Sequence, residues 1–121
     1  MSVDKKLIYI VDDDASVCRA LKFLLMAFGF EVYTFTSGDE YFSAVPVNSK
    51  GSLILDVHMP GLDGWEILKR IIKSGFKRQV IIISADKNGG LKKKALKMGA
   101  VGFFEKPIND HELVELLNKS Y

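Results

Sequence analysis

Five short β-prone segments recur along this chain of 121 residues, and each is followed by a segment with helical periodicity. The predicted strands are Leu7–Val11, Glu31–Phe35, Ser52–Val57, Gln79–Ala85 and Gly102–Lys106. Most are unbroken apolar runs, as in strands that are covered on both faces, whereas Glu31–Phe35 alternates and is typical of a strand near an edge. Five repeats of strand and helix predict an α/β fold, in which helices cover both faces of a parallel sheet.

Capping residues delimit several of the predicted helices. Asp14 precedes the first helix, and Gly29 follows it at the position that favours a left-handed backbone. Two capping boxes, Ser37–Glu40 and Asn109–Glu112, predict the starts of the second and the last helix. A further helix is predicted over Trp65–Lys73, with its inner face formed by Ile67, Leu68, Ile71 and Ile72.

The length and composition favour one globular domain over residues 1–121. Apolar residues make up 48% of the chain and charged residues 26%, a balance that argues against disorder. A net charge of +2 argues against direct nucleic-acid binding. The single cysteine rules out an internal disulfide, and no apolar run approaches the ~20 residues that span a bilayer. We therefore expect a cytoplasmic protein that does not enter a membrane.

Polar side chains stand at the ends of four of the predicted strands. Asp12 and Asp13 follow the first strand, and Asp56, Ser84 and Lys106 lie at the ends of the third, fourth and fifth. An aspartate after a strand more often serves a turn, so each residue alone is weak evidence. The carboxyl ends of parallel strands, however, meet at one edge of the sheet. Together these residues predict a functional site at that edge.

The residue types at this edge favour a site that handles a phosphoryl group. Three neighbouring carboxylates repel one another, which a bound cation relieves. Because the ligands are all oxygens, we expect magnesium, or alternatively manganese, instead of zinc. A lysine ammonium and a serine hydroxyl can then contact the oxygens of a phosphoryl group.

Four motifs, "VDDD", "LDVHMPGLDG", "ISA" and "FFEKP", occur here in the order and spacing of a known family. With them the chain resembles, over nearly its whole length, the receiver domain of two-component response regulators. The resemblance implies a doubly wound, flavodoxin-like (βα)5 fold with strand order 2-1-3-4-5. It also implies a phosphorylation-dependent switch that assists only its own phosphorylation and dephosphorylation and is not a turnover enzyme.

The resemblance implies a role for each site residue. Asp56 would accept a phosphoryl group from a phosphohistidine of a sensor histidine kinase or phosphotransfer protein. The implied magnesium ligands are Asp12, Asp13, Asp56 and the backbone carbonyl of His58. Ser84 and Lys106 would bind the phosphoryl oxygens, Phe103 would turn inward as the switch, and Pro107 would be cis. The side chains of His58 and Asp86, at the mouth of the site, would modulate the lifetime of the phosphate.

The resemblance also implies a partner surface, formed by the last two helices and the strand between them. An output domain, a separate output partner or a second copy of the chain would dock there. We interpret the four lysines of the predicted fourth helix as a solvated helix face instead of a nucleic-acid site: Lys92, Lys93, Lys94 and Lys97. The chain is either a single-domain regulator or part of a longer one.

Two other functions remain open from the sequence. The first is an aspartyl-phosphate phosphatase of the haloacid-dehalogenase type, because the run Asp12–Asp14 formally fits a D-x-D motif after the first strand. Such phosphatases carry further substrate-binding segments, for which 121 residues leave little room. The second is a phosphate-independent pseudo-receiver, but such modules lack part of the acid set or the lysine, and this chain has them all.

Overall fold

Five strands alternate with five helices in the computed structural model, which describes residues 5–119. The strands are β1 (Leu7–Val11), β2 (Glu31–Phe35), β3 (Ser52–Asp56), β4 (Val80–Ser84) and β5 (Gly102–Glu105). The helices are α1 (Ala15–Ala27), α2 (Gly38–Ala44), α3 (Gly64–Lys73), α4 (Gly90–Lys97) and α5 (Asp110–Lys119). Residues 1–4 and 120–121 of the predicted domain lie outside the described residues. Within residues 5–119, no helix combines the length and the apolar character needed to cross a membrane.

All strand pairs are parallel, and the strand order is β2-β1-β3-β4-β5. The predicted doubly wound α/β fold is therefore confirmed, with β2 at an edge. Alternate residues of the central strands enter two separate cores. Ile8 and Ile54 pack with α1 and α5 on one face, whereas Tyr9 and Leu53 pack with α2, α3 and α4 on the other. Burial on both faces explains why these strands are continuous apolar runs.

The predicted helix starts are confirmed by side-chain caps. The Asp14 carboxylate accepts from the backbone N–H groups of Ser16 and Val17, and the Ser37 hydroxyl accepts from that of Glu40. The Asn109 side chain accepts from the N–H of Glu112 in the same way. Gly29 has a φ of 92°, the left-handed conformation expected after α1. The three side-chain caps fix where the chain turns from β1, β2 and β5 into the helices that follow them.

One predicted core residue is wrong. Ile72 is 47% exposed, whereas Ile67, Leu68 and Ile71 are buried. Those three side chains already fill the apolar stripe of α3, and Ile72 is turned by about 100° from Ile71 around the helix axis. Ile72 instead lies over Gly99 at the surface, where a Cβ atom on the glycine would collide with it. Strands β3, β4 and β5 are also one or two residues shorter than predicted, since Val57, Gln79, Ala85 and Lys106 lie outside them.

Candidate functional site

The carboxyl edge of the sheet brings three aspartates together. Val11 in β1 is paired with Leu55 in β3, so the next residues, Asp12 and Asp56, stand side by side. Carboxylate oxygens of Asp12, Asp13 and Asp56 all lie within 4.8 Å of one another. Asp12 and Asp56 are buried, and Asp13 is exposed. The cluster is therefore covered by protein on the side of Asp12 and Asp56 and open to solvent on the side of Asp13.

The ammonium of Lys106 is the counter-charge of the two buried acids. Its Nζ lies 2.9 Å from Oδ2 of Asp12 and 3.3 Å from Oδ1 of Asp56. The backbone N–H of Lys106 donates to the carbonyl of Ser84 at 2.8 Å, which holds the end of β5 against β4. Strands that are distant in the sequence therefore place one cation between two carboxylates.

Burial and the neighbouring charges shift the acid–base properties of this cluster. Burial, followed by the charge of Asp12, raises the pKa of Asp56 from 3.8 to about 6, although Lys106 opposes the shift. Burial by itself lowers the pKa of Lys106, but its hydrogen bond and charge attraction to Asp12, and then those to Asp56, raise it overall. Asp56 is consequently ionised at neutral pH and Lys106 is charged.

Asp14, the third acid of the run, lies outside the cluster. Its carboxylate caps α1, as predicted, and its backbone N–H donates to Oδ1 of Asp12 at 2.9 Å. The buried thiol of Cys18 donates to the carbonyl of Asp12 at 3.3 Å. These contacts fix the orientation of Asp12, leaving Oδ2 directed at Lys106.

Glycine at position 64 allows α3 to begin directly beside the phosphoacceptor candidate. A Cβ atom on Gly64 would collide with the backbone carbonyl of Asp56. The N–H of Gly64 donates to the carbonyl of Val57 at 3.2 Å, and the Asp63 side chain caps the helix. The loop from Asp56 to α3 is therefore held close against the end of β3.

Two side chains meet across the mouth of the site. Nε2 of His58 lies 3.4 Å from Oδ2 of Asp86, and both side chains are about half exposed. His58 comes from the loop after β3, and Asp86 comes from the loop after β4. Sequence reasoning placed both residues at the mouth but did not predict that they contact each other.

The Ser84 hydroxyl is buried and already has a hydrogen-bond partner. Its Oγ accepts from the backbone N–H of Asp86 at 3.0 Å. Oδ1 of Asp86 accepts from the N–H of Asn88 at 3.0 Å, and Oδ1 of Asn88 accepts from the N–H of Gly90 at 2.9 Å. The sequence predicted a loose loop here. The signal that it missed is the placement of Ser, Asp and Asn at every second position, because these side chains bond locally to backbone N–H groups.

The other two predicted residues lie on β5 and just beyond it. Phe103 is half-buried against the core that α2, α3 and α4 cover. It lines a surface cavity of about 380 Å³ together with Leu96 of α4 and Leu116 of α5. The Lys106–Pro107 peptide bond is cis, the conformation that the family resemblance implies.

The acidic cluster fits a magnesium ion. It offers carboxylate oxygens and, among the described residues, no histidine or cysteine takes part in it, which favours a hard cation over zinc. Lys106 supplies a single positive charge against two buried carboxylates and one exposed carboxylate. A divalent cation on the open side would offset the remaining negative charge.

Residues 8–118 match the family described as the response regulator receiver domain. The chain belongs to this family. The transcriptional regulatory protein FixJ of Bradyrhizobium diazoefficiens is 38% identical over 113 residues, which are 93% of this chain and 55% of the relative. The response regulator protein TodT of Pseudomonas putida is 37% identical over 114 residues, covering 94% of this chain and 50% of the relative. This receiver domain thus spans about half the length of the curated relatives it matches.

Solved structures share its fold. FixJ-N has a TM-score of 0.87 at 29% identity, and the match covers 98% of this chain and 94% of that one. A response regulator receiver protein from Burkholderia phymatum has a TM-score of 0.79 at 39% identity, covering 94% and 96% of the two chains. The flavodoxin-like receiver fold and a role in two-component signalling are confirmed, and neither the phosphatase nor the pseudo-receiver alternative is favoured.

Proposed function

We propose that this receiver domain accepts a phosphoryl group on Asp56 from a phosphohistidine of a sensor histidine kinase or phosphotransfer protein. A carboxylate oxygen of Asp56 attacks the phosphorus in line. The P–N bond breaks, the imidazole leaves with the bonding electron pair, and an acyl phosphate forms. The domain assists only this reaction and the later hydrolysis, and it turns over no other substrate.

The main support for this proposal is that Lys106 forms ion pairs with the buried acids Asp12 and Asp56, beside the exposed acid Asp13. Asp12, Asp13, Asp56 and the backbone carbonyl of His58 would hold magnesium, or manganese in its place. When bound, the ion supplies positive charge that offsets the charge of the transferring phosphoryl group. Positioning and charge neutralisation are the main needs of phosphoryl transfer, and this arrangement meets both.

Each remaining residue has one task in the proposal. Asp56, with a pKa of about 6, is ionised at neutral pH and can act as the nucleophile. Lys106, which already lies 3.3 Å from Asp56, then pairs with a phosphoryl oxygen. Ser84 donates its hydroxyl hydrogen to another phosphoryl oxygen. His58 and Asp86, facing each other across the mouth, control the access of water to the acyl phosphate.

The output of the switch is the α4-β5-α5 surface. As Ser84 moves toward the phosphate, Phe103 turns inward and the cavity that it lines with Leu96 and Leu116 changes shape. A coupling free energy of ~1–3 kcal/mol is enough to repopulate two such states. FixJ is named a transcriptional regulatory protein, and this chain matches about half of it. We therefore propose that the surface contacts an output domain, a separate partner or a second copy of the chain, and not nucleic acid.

The experiment is intact-mass measurement after incubation with acetyl phosphate and magnesium. The parent gains one phosphoryl group, chelation of the metal abolishes the gain, and Asp56→Asn shows none. Asp39→Asn is the matched control, because Asp39 is an exposed acid of α2 outside the cluster, and this variant is labelled like the parent. Labelling of Asp56→Asn, or no labelling of the parent where an established receiver is labelled, would contradict the proposal.

A further inference from the structure

Helix α3 lies beside α4, with one contact at each end of α3. At its start, the Trp65 ring has Nζ of Lys94 from α4 at 4.2 Å from its centroid. At its end, Ile72 lies over Gly99, just beyond α4, where a Cβ atom on the glycine would collide with it. We call the surface between the two helices, from Trp65 to Ile72, the α3–α4 groove.

The floor of the groove is apolar and reaches the solvent. Trp65 and Met98 are partly buried at the rim of the core that α2, α3 and α4 cover. Ile72, which periodicity placed in that core, is 47% exposed. Covering these side chains removes apolar surface from water, so the groove favours a partner that has an apolar face of its own.

Lysines border this floor on both helices. Lys69 and Lys73 follow Trp65 at intervals of four residues, so they continue from it along the surface of α3. Lys97 follows Lys94 by three residues in α4. All four lysines are exposed, and within residues 5–119 none of them forms an ion pair with a carboxylate.

The acids of this part of the chain face elsewhere. Glu66 of α3 pairs with Arg70, whose guanidinium lies over the Phe42 ring of α2 and so on the flank of α3 away from α4. Asp86, in the loop before α4, faces His58. The groove therefore carries uncompensated positive charge, although the net charge of the whole chain is only +2.

We propose that the α3–α4 groove docks an acidic amphipathic helix of a partner protein. Apolar residues at every third or fourth position of that helix cover Trp65 and Ile72, and carboxylates on either side of this stripe pair with the lysines of α3 and α4. Lysines also attract nucleic acid, but phosphate groups would leave the apolar floor exposed to water. An acidic helix meets both the charge and the floor.

The groove is separate from the α4-β5-α5 surface. Lys92 and Leu96 line the cavity between α4 and α5. Lys94, by contrast, lies over Trp65 on the flank of α4 that faces α3. Docking in the groove therefore needs no phosphate on Asp56, and Lys92 provides a matched control on the same helix.

Titration with two designed peptides tests the proposal. The probe is a helical peptide with leucine at every third or fourth position and glutamate elsewhere, and its control is a scrambled peptide of the same composition. The readouts are the emission of Trp65, which is the single tryptophan of the chain, and the backbone amide NMR shifts. The probe should change the emission of Trp65 and the shifts along α3 and α4, and the scrambled peptide should bind much more weakly.

Variants of exposed residues then locate the contact. Lys69→Gln and Lys97→Gln should each weaken binding of the probe about two- to fivefold, the effect of one exposed charge pair. Ile72→Gln should weaken it about three- to tenfold, because a half-exposed isoleucine loses its apolar cover. Lys92→Gln should bind the probe like the parent, since Lys92 lies on the other flank of α4.

Four results would overturn the proposal. Equal binding of the scrambled peptide would show attraction of charge alone, without the apolar stripe. A single-stranded oligonucleotide that binds more tightly than the probe, and that loses affinity in the same variants, would assign the groove to nucleic acid. An equal loss in Lys92→Gln would place the probe elsewhere on α4, and unchanged shifts along α3 and α4 would show that the groove binds no such helix.

Discussion

Replacing Asp56 with asparagine should stabilise the metal-free protein at neutral pH. Asp56 is 4% exposed, and its pKa is about 6 instead of 3.8. A difference of about two pKa units corresponds to about 3 kcal/mol of folding free energy at a pH where the acid is ionised in both states. The raised pKa already includes the attraction to Lys106. Because an amide does not reproduce every contact of the carboxyl group, we expect asparagine to give a net gain of about 1–3 kcal/mol, at or below this cost of ionisation.

The sign follows from proton linkage. The pKa of Asp56 is higher in the folded state than in the unfolded one, so the folded state binds the proton more tightly. The stability due to the protonated carboxyl is complete below the unfolded pKa, 3.8, and is lost as the pH rises through about 6. The advantage of Asp56→Asn should therefore be largest at about pH 8 and smaller at about pH 4.5.

Urea unfolding with a chelator at these two pH values measures the effect. Asp39→Asn, at an exposed position, serves as the control and should change the unfolding free energy by less than about 0.5 kcal/mol. Magnesium should then stabilise the parent more than Asp56→Asn, because an ion that binds the folded carboxylates favours the folded state. An ionisation cost at Asp56 is ruled out if Asp56→Asn is less stable than the parent at about pH 8, or if its stability advantage does not shrink on acidification.

Three further predictions follow from the site and the fold. Asp13→Ala should weaken magnesium binding by more than about tenfold, and by more than Asp12→Ala or Asp14→Ala does. Titration of Trp65 fluorescence with magnesium would give the three affinities, and equal affinities would refute the ranking. His58→Ala and Asp86→Ala should each change the rate at which phosphate is lost from Asp56, followed by intact mass over time, and parental rates in both would contradict their role at the mouth. Arg78→Met should lower the unfolding free energy by about 2–4 kcal/mol, because the buried guanidinium donates to the carbonyls of Pro46, Ser49 and Gly51. Urea unfolding measures the loss, and a loss smaller than that of an exposed substitution such as Lys77→Met would refute the prediction.

The sequence predicted the fold well because burial and capping are local signals. The unbroken apolar run Leu53–Leu55 indicated a strand covered on both faces, and Asp14 and Asn109 marked helix starts that the structure confirms. The carboxyl-edge rule then placed Asp12, Asp56 and Lys106 together without coordinates, and the structure brings them into contact. The parallel direction of the strands made this prediction possible, because the carboxyl ends of all parallel strands lie at the same edge of the sheet.

Contacts between loops and the width of a buried stripe could not be predicted in the same way. Ile72 fits helical periodicity but is exposed, since periodicity does not say how wide the covered stripe of α3 is. The contact between His58 and Asp86 depends on the paths of two loops, which no strand register fixes. The hydrogen bonds in the loop after β4 had a local signal in the spacing of Ser84, Asp86 and Asn88, but their place at the site depends on where β4 ends.

Chemical trapping identifies the residue that carries the phosphate, which we propose is Asp56. Borohydride reduces an aspartyl phosphate to homoserine, so protein treated with acetyl phosphate and magnesium and then reduced can be digested and sequenced by mass spectrometry. We predict homoserine at position 56 and at no other aspartate. Homoserine at Asp12 or Asp13, or a stable phosphate on Ser84 with Asp56 unchanged, would contradict it.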